Sequence, residues 1–537
     1  MSKLNIQPHE IYKKREELGL DNTKNLLSEI IESNKSDNIR QEAIKYLGLI
    51  CIESSSLKKE CFDIFENLLI TDEGVEIKRE SAKAIGKINY DKGLKPLKWV
   101  LEQYPVDHNV KLSVLKAIKR IKFEEPEIEL YINELDNKYH SIKQFVKDQL
   151  LSLTPELLIN RLVTSLRKKK YSKEHKIEIL KLIGHDLASI NISFEDLSYL
   201  KSKYPEIVDE LVQNKALILD IVTLILKQED SELMECVITI FKILGKGVNN
   251  DLIKLLLVDD FIVKKNAITL SGKLRLKEAV DFLTSNLDDI YSEVTIASIV
   301  ALGEIGNITA VPELLDILNI EDISFEYADL DLKWFIIEAI KKIYINNSKA
   351  SYDYLYSHLS SDNIAFKENI PIILGEIGNA EFVEPLINLL KIRNFDVKKN
   401  AIIALGKIGS IKPLENLIEI LDDIDVYWLI KKVAADAIYH IFQRNWYKVK
   451  DDDNELNRLL NKDIAILTEY LKNKESENFK VKLSLIKFLE TFGEEPALSA
   501  LLKRVNDFHR VVRIHASNAI KKIEEKLEEN QELENSS

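Results

Sequence analysis

VKKNAIIALGKIG (397–409) and VTIASIVALGEIG (294–306) are the stretches that decide the fold. In the first, Val397, Ala401, Ala404, Leu405 and Ile408 fall at i, i+4, i+7, i+8 and i+11, which puts all five on one helix face. Ile77, Ser81, Ala84, Ile85 and Ile88 repeat those offsets near the N-terminus. Small residues in the middle of the face let a neighbouring helix approach closely. The glycine after the apolar run, Gly406 in one copy and Gly303 in another, reads as the helix end. Glycine adopts positive φ at that place without penalty.

Working outward, the same signature recurs along the chain. VKKNAITLSGKL (263–274) and FKENIPIILGEIG (366–378) are close copies, and the spacing is 31 residues from Gly272 to Gly303 and again from Gly375 to Gly406. IRQEAIKYLGLI (39–50), IKRESAKAIGKI (77–88) and VKLSVLKAIKRI (110–121) carry it towards the N-terminus, with 38 residues between Gly48 and Gly86. IKKVAADAIYHI (430–441), VKLSLIKFLETFG (481–493) and VRIHASNAIKKI (512–523) carry it towards the C-terminus. A second amphipathic segment follows each copy and often opens with proline: Pro96, Pro312, Pro385, Pro413 and Pro496 suit a first helical turn. A helix pair that short leaves its apolar face uncovered unless neighbours stack, so the units must form a continuous array.

The turn acid, the Val-Lys step, the small residue and the closing A-L-G-x-I-G resemble HEAT repeats, most closely the HEAT-like subtype of phycobilin lyases. The resemblance covers about residues 35–525. It implies an all-α, right-handed α-solenoid of about 12–14 helix pairs, with the signature helices lining the concave face. The organisation expected is an N-terminal array over 1–185, degenerate repeats over 186–232 where the array can bend, and a C-terminal array over 233–525. Inserts interrupt the last array at 318–331 and 447–463, and 526–537 reads as a disordered acidic tail.

Composition agrees with helices and narrows the function. The 537 residues include only 16 Gly and 11 Pro, too few for a fold built mostly of turns. No N-terminal stretch has signal-peptide character, and the longest apolar run, ALILDIVTLIL (216–226), is too short to span a bilayer. Three cysteines without a CxxC pair, Cys51, Cys61 and Cys236, read as buried core thiols in a reducing cytoplasm. The 75 basic and 88 acidic residues leave a net charge of −13, which opposes general binding to phosphate backbones. Residues 1–200 are nearly neutral, with 33 basic and 32 acidic side chains, so a basic stripe is allowed there.

Catalytic constellations are missing from the sequence. The nine histidines are scattered, and only His9-Glu10 has the His-Glu order that HEAT-fold hydroxylases use to hold iron. Asp451 to Asp453 resemble the start of a calcium loop, but Leu456 stands where that loop requires Gly and Lys462 where it requires Glu. No cofactor or metal is expected, and no enzyme.

The regular polar feature is a column of cations directly after the first apolar residue of the signature, with Thr295 the plain exception. It includes Arg40, Lys78, Lys111, Lys264, Lys398, Lys431, Lys482 and Arg513. Acids a few residues earlier (Asp37, Glu76, Asp107, Asp260, Asp396, Asp507) suit an inter-repeat ladder of ion pairs and helix caps. A ladder needs one cation per repeat. The doublets Lys78-Arg79, Lys264-Lys265, Lys398-Lys399 and Lys431-Lys432 therefore mark candidates for a partner-binding stripe. Phe325 and Tyr327, set among acids in the first insert, are candidates for a contact loop. The function expected is a cytoplasmic, non-catalytic protein-binding scaffold. The alternatives are a phycobilin lyase or chaperone-like protein, implied by the repeat subtype, and a nucleic-acid binder using Arg167, Lys168, Lys169 and Lys170.

Overall fold

Apolar side chains at helical spacing need a second helix to cover them, and in this chain each signature helix is covered by its own successor. The computed structural model describes residues 7–33, 36–54, 56–103, 106–122, 124–189, 205–228, 230–318, 332–347, 350–446 and 455–536. Among these residues every regular element is a helix. None of the helices is long and apolar enough to cross a membrane. Two compact units are present, Met1–Asp251 and Leu252–Ser537.

In the second unit the signature helices are Phe261–Lys273, Ser292–Ile305, Leu332–Asn346, Ile364–Ile377, Phe395–Ile408, Trp428–Asn445, Phe479–Phe492 and Arg510–Ser536. Each packs against the next, forming one row. Shorter helices between them, among them Val311–Leu318, Val383–Leu389, Leu414–Asp422 and Ala497–Arg504, form a second row with much sparser mutual contact. The first unit repeats the arrangement with Asp37–Glu53, Val75–Ile88 and His108–Ile121 in the close row and Lys58–Thr71 and Leu94–Glu102 beside them. Within each unit the signature helices form the closely packed row, here called the inner row, and the helices between them the outer row.

The reason for the tightness corrects the reading of the signature glycine. Gly375 does not end its helix; it is buried inside Ile364–Ile377 and faces Ala404 of the next repeat. A Cβ at Gly375 would stand 2.8 Å from the Ala404 Cα, and one at Gly406 2.9 Å from the Ala437 Cα. Gly86 against Ala117, Gly272 against Ala301 and Gly303 against Ala339 repeat the contact. The missing side chain lets two helix backbones touch. The helix ends three residues later, where Gly306, Gly378 and Gly409 take positive φ of 71°, 77° and 76° and donate their N–H to Leu302, Leu374 and Leu405. The prolines stand at or near the start of the outer helices: Pro413 and Pro496 are N-caps, and Pro312 is the second residue of its helix.

Two further expectations change. Cys51 and Cys61 are buried but form a disulfide, with Cα atoms 6.6 Å apart, joining Asp37–Glu53 to Lys58–Thr71. The short turn between the helices brings the two sulfurs together, which a count of cysteines did not reveal. Cys236 is buried, and its Cβ would lie 2.4 Å from one built on Gly184. The C-terminal stretch read as a disordered tail continues the last inner helix to Ser536.

A basic groove on the inner row

The cation column runs between repeats. The Arg40 guanidinium is tied to Asp72, in the turn that precedes the next signature helix. Lys111 pairs with Glu134 at 2.8 Å, Lys264 with Asp289 at 3.0 Å, Lys431 with Glu477 at 3.5 Å and Lys482 with Asp507 at 2.8 Å. Each acid again stands in the turn before the following inner helix. The most enclosed of these sites holds Lys482, Arg504 and Asp507, all buried. Burial alone would raise the Asp507 carboxyl. Hydrogen bonds from Lys482, the His509 N–H and Arg504 outweigh it, and the group is held below the usual carboxylate range.

Helix caps use nearby residues as well. Asp107 and Asp260 accept from backbone N–H groups of their helices, whereas in the 397–409 repeat the cap is Asn394 and Asp396 lies in the first turn. A second ladder crosses the helix ends. Lys273 pairs with Glu304 at 3.2 Å, and Glu376 is held between Lys407 and Lys341, the latter at 3.4 Å.

The doubled cations divide accordingly. Lys264 and Lys431 belong to the ladder. Arg79 is paired within its own helix to Glu76 and Glu80, and Lys399 to Asp396, with the Lys399 ammonium 5.5 Å from the Phe395 ring centroid. Lys78, Lys265 and Lys398 are half-buried on their helices. Phe325 and Tyr327 lie outside the described residues. The RKKK run is largely occupied: Lys168 and Lys170 pair with Glu129, Tyr171 hydrogen-bonds it at 3.0 Å, and Arg167 donates to Asn214 at 2.9 Å. Lys169 is exposed.

Of the doublet members, Lys432 lines a concavity. A groove of about 640 Å³ lies across Trp428–Asn445, Phe479–Phe492 and Arg510–Ser536, and every residue lining it comes from these inner helices. Lys432, Lys480, Lys487, Lys521, Lys522 and His515 face it, against Glu490 and Glu525. Lys432 pairs with Asp436 at 2.5 Å, Lys521 with Glu525 at 3.6 Å and Lys522 with Glu490. Lys480 and Lys487 have no carboxylate partner among the described residues. Their ammonium groups ride over aromatic rings, 5.0 Å from Trp428 and 4.4 Å from Tyr439. Both lysines are exposed. Lys480 and Lys487 are seven residues apart, as are His515 and Lys522. That spacing on the polar side of the signature helix was the signal to follow, rather than the doubling of adjacent cations.

Among the described residues no cluster of His, Cys, Asp or Glu could hold a metal ion.

Comparison with known proteins agrees with the repeat. Residues 352–438 match the family model for HEAT repeats, not a lyase-specific subtype. No curated protein matches the sequence. Among solved structures the chain is similar to Kap95p, whose binding induces the switch loops of RanGDP to adopt the GTP-bound conformation, with 13% identity, a TM-score of 0.42, and 95% of this chain and 67% of that one covered. It is also similar to importin beta (10% identity, TM-score 0.44, 97% and 78% covered) and to Kap121p bound to Pho4p (11%, 0.41, 96% and 63%). Each of the two units is an all-α array of stacked helix pairs among its described residues, and residues 352–438 of the second unit match the HEAT-repeat family.

Proposed function

We propose that this HEAT-repeat array is a non-catalytic scaffold that binds a protein partner, with the inner row of the second unit receiving an acidic segment of it. The observation that carries the reading is the groove of about 640 Å³, where two exposed lysines have no carboxylate partner among the described residues of a chain of net charge −13. Ladder lysines hold repeats together; Lys480 and Lys487 do not, so their charge is available to a ligand. Placing each ammonium over an aromatic ring fixes its position without neutralising it. An acidic segment lying across three successive inner helices would gain from several such contacts at once.

The test is recovery of partners by the full chain from its native host, with and without nuclease, beside a Lys480→Ala/Lys487→Ala variant. Protein recovered equally with and without nuclease, and lost in the variant, supports the proposal. Recovery abolished by nuclease overturns it in favour of a phosphate backbone as ligand. Recovery unaffected by the double substitution removes the groove from the reading.

A further inference from the structure

The outer row of the second unit carries a surface of opposite character. Between helices Leu414–Asp422 and Glu455–Asn473 lies a groove of about 1000 Å³. Its floor is apolar, with Leu414, Leu421, Leu460 and Leu467 buried. Leu459 and Ile466 stand 45% and 39% exposed along one wall. Seven residues at 1.5 Å rise set them about 10 Å apart, two helical turns. Along the other wall Glu415, Glu419 and Asp423 recur every fourth residue, and among the described residues none of the three forms an ion pair. Asp422 is tied to Lys474 at 2.8 Å.

Asp463 sits inside this groove, partly buried. Burial pushes its carboxyl up to about 6; Lys462 opposes the shift and Glu415 adds to it. It is a desolvated carboxylate whose neighbours supply too little positive charge. Six acids and three lysines line the groove in all.

We propose that the outer-row groove docks a basic amphipathic helix of a partner protein. Apolar residues of the incoming helix, recurring at i, i+3 or i+4 and i+7, would cover Leu459 and Ile466 over two turns. Its lysines or arginines would meet the carboxylates of Glu415 and Glu419 on Leu414–Asp422 and of its C-cap Asp423. The charge pattern selects this occupant: an acidic helix would face three carboxylates that form no ion pair among the described residues, and an uncharged one would leave them desolvated beside it. The site shares no helix with the basic inner groove and has the opposite sign, so the two proposals stand separately.

The probe is a fluorescein-labelled 14-residue amphipathic peptide of leucine and lysine, titrated against the full chain and followed by anisotropy. Glu415→Gln/Glu419→Gln/Asp423→Asn is expected to weaken binding by about tenfold or more. Asp281→Asn/Asp288→Asn/Glu293→Gln, which removes the same charge from exposed positions elsewhere, should change it by no more than about twofold. Leu459→Ser/Ile466→Ser, at exposed positions, is expected to weaken it as well. Equal losses from the two charge variants would reduce the binding to general attraction and overturn the proposal. Binding indifferent to the Leu459 and Ile466 changes would do the same. Lys480→Ala/Lys487→Ala should leave this titration unchanged, which separates failure here from failure of the inner-groove reading.

Discussion

Replacing Gly375 by alanine tests the physical account of the array at a point of close helix approach. The new Cβ would lie 2.8 Å from the Ala404 Cα and 2.9 Å from its Cβ. Carbon atoms in contact prefer about 3.5–4.0 Å, so helices Ile364–Ile377 and Phe395–Ile408 would have to separate by roughly 1 Å. A gap of that size forfeits about a quarter to a half of the dispersion energy of the facing atoms. The obstacle is backbone, which has no rotamer to escape into, so the cost belongs near the top of the overpacking range, about 3 kcal/mol. Alanine in a helix interior returns about 1 kcal/mol over glycine. The expected net loss is about 2 kcal/mol. Gly48 supplies the internal control, because its added Cβ would meet the Ala84 Cβ at 3.3 Å and the Cα only at 3.7 Å. A shift of a few tenths of an ångström relieves that contact, and Gly48→Ala should be neutral or slightly stabilising. Urea unfolding followed by far-UV circular dichroism gives both values, with unchanged slope confirming that stability alone has moved. A Gly375→Ala midpoint at or above that of the unsubstituted chain would refute the argument that glycine is there for close helix approach.

Other expectations follow from the ladder and the grooves. Asp507→Asn leaves the buried Lys482 and Arg504 without a counter-charge and should cost about 3–5 kcal/mol, measured by the same titration. Asp507 and Glu376 are both held below the ordinary carboxylate range, Glu376 chiefly by the hydrogen bond from Lys407. Their contribution is complete above the unfolded carboxylate value and is lost as pH falls through the depressed folded values. Stability should therefore fall below about pH 4, and less so in Asp507→Asn. Asp463 has the opposite sign. With its folded value raised to about 6, it favours folding when protonated and opposes it when charged. Asp463→Asn should accordingly raise the midpoint at pH 7.5 and bring no gain at pH 4; an equal gain at both would remove burial as the cause. Alkylation of the unfolded chain without reductant should label Cys236 alone, and with reductant all three cysteines. Labelling of Cys51 without reductant would contradict the disulfide.

What could be read from the chain, and what could not, separates along the range of the interaction. The offsets of Val397, Ala401, Ala404 and Leu405 are local, and they determined that these residues form one buried helix face and that such helices must stack. The 31-residue spacing between glycines determined the repeat. The role of those glycines was not legible, because a helix terminus and a point of backbone contact ask the same thing of a residue: no side chain. Only the packed neighbour, Ala404 against Gly375, distinguishes the two. The two-glycine signature in fact combines both uses, Gly375 for close approach and Gly378 for positive φ.

Charge shows the same division. Periodicity alone placed a cation at a fixed point of the repeat, with Thr295 as the exception. Whether Lys431 serves the ladder and Lys432 a groove depends on what the next helix brings to meet it, Glu477 in one case and the open side of Phe479–Phe492 in the other. The basic groove gathers lysines from three helices spread over some 90 residues of sequence, and the acidic groove lies between outer helices Leu414–Asp422 and Glu455–Asn473, which the inner helix Trp428–Asn445 separates in the chain. The sequence by itself determined the helix, its buried face and the need for neighbours, because those follow from contacts within a few turns. The tertiary structure decided which polar residues are satisfied by the next repeat and which remain for a partner. Electrostatic pairing acts between side chains that meet only after the rows have packed.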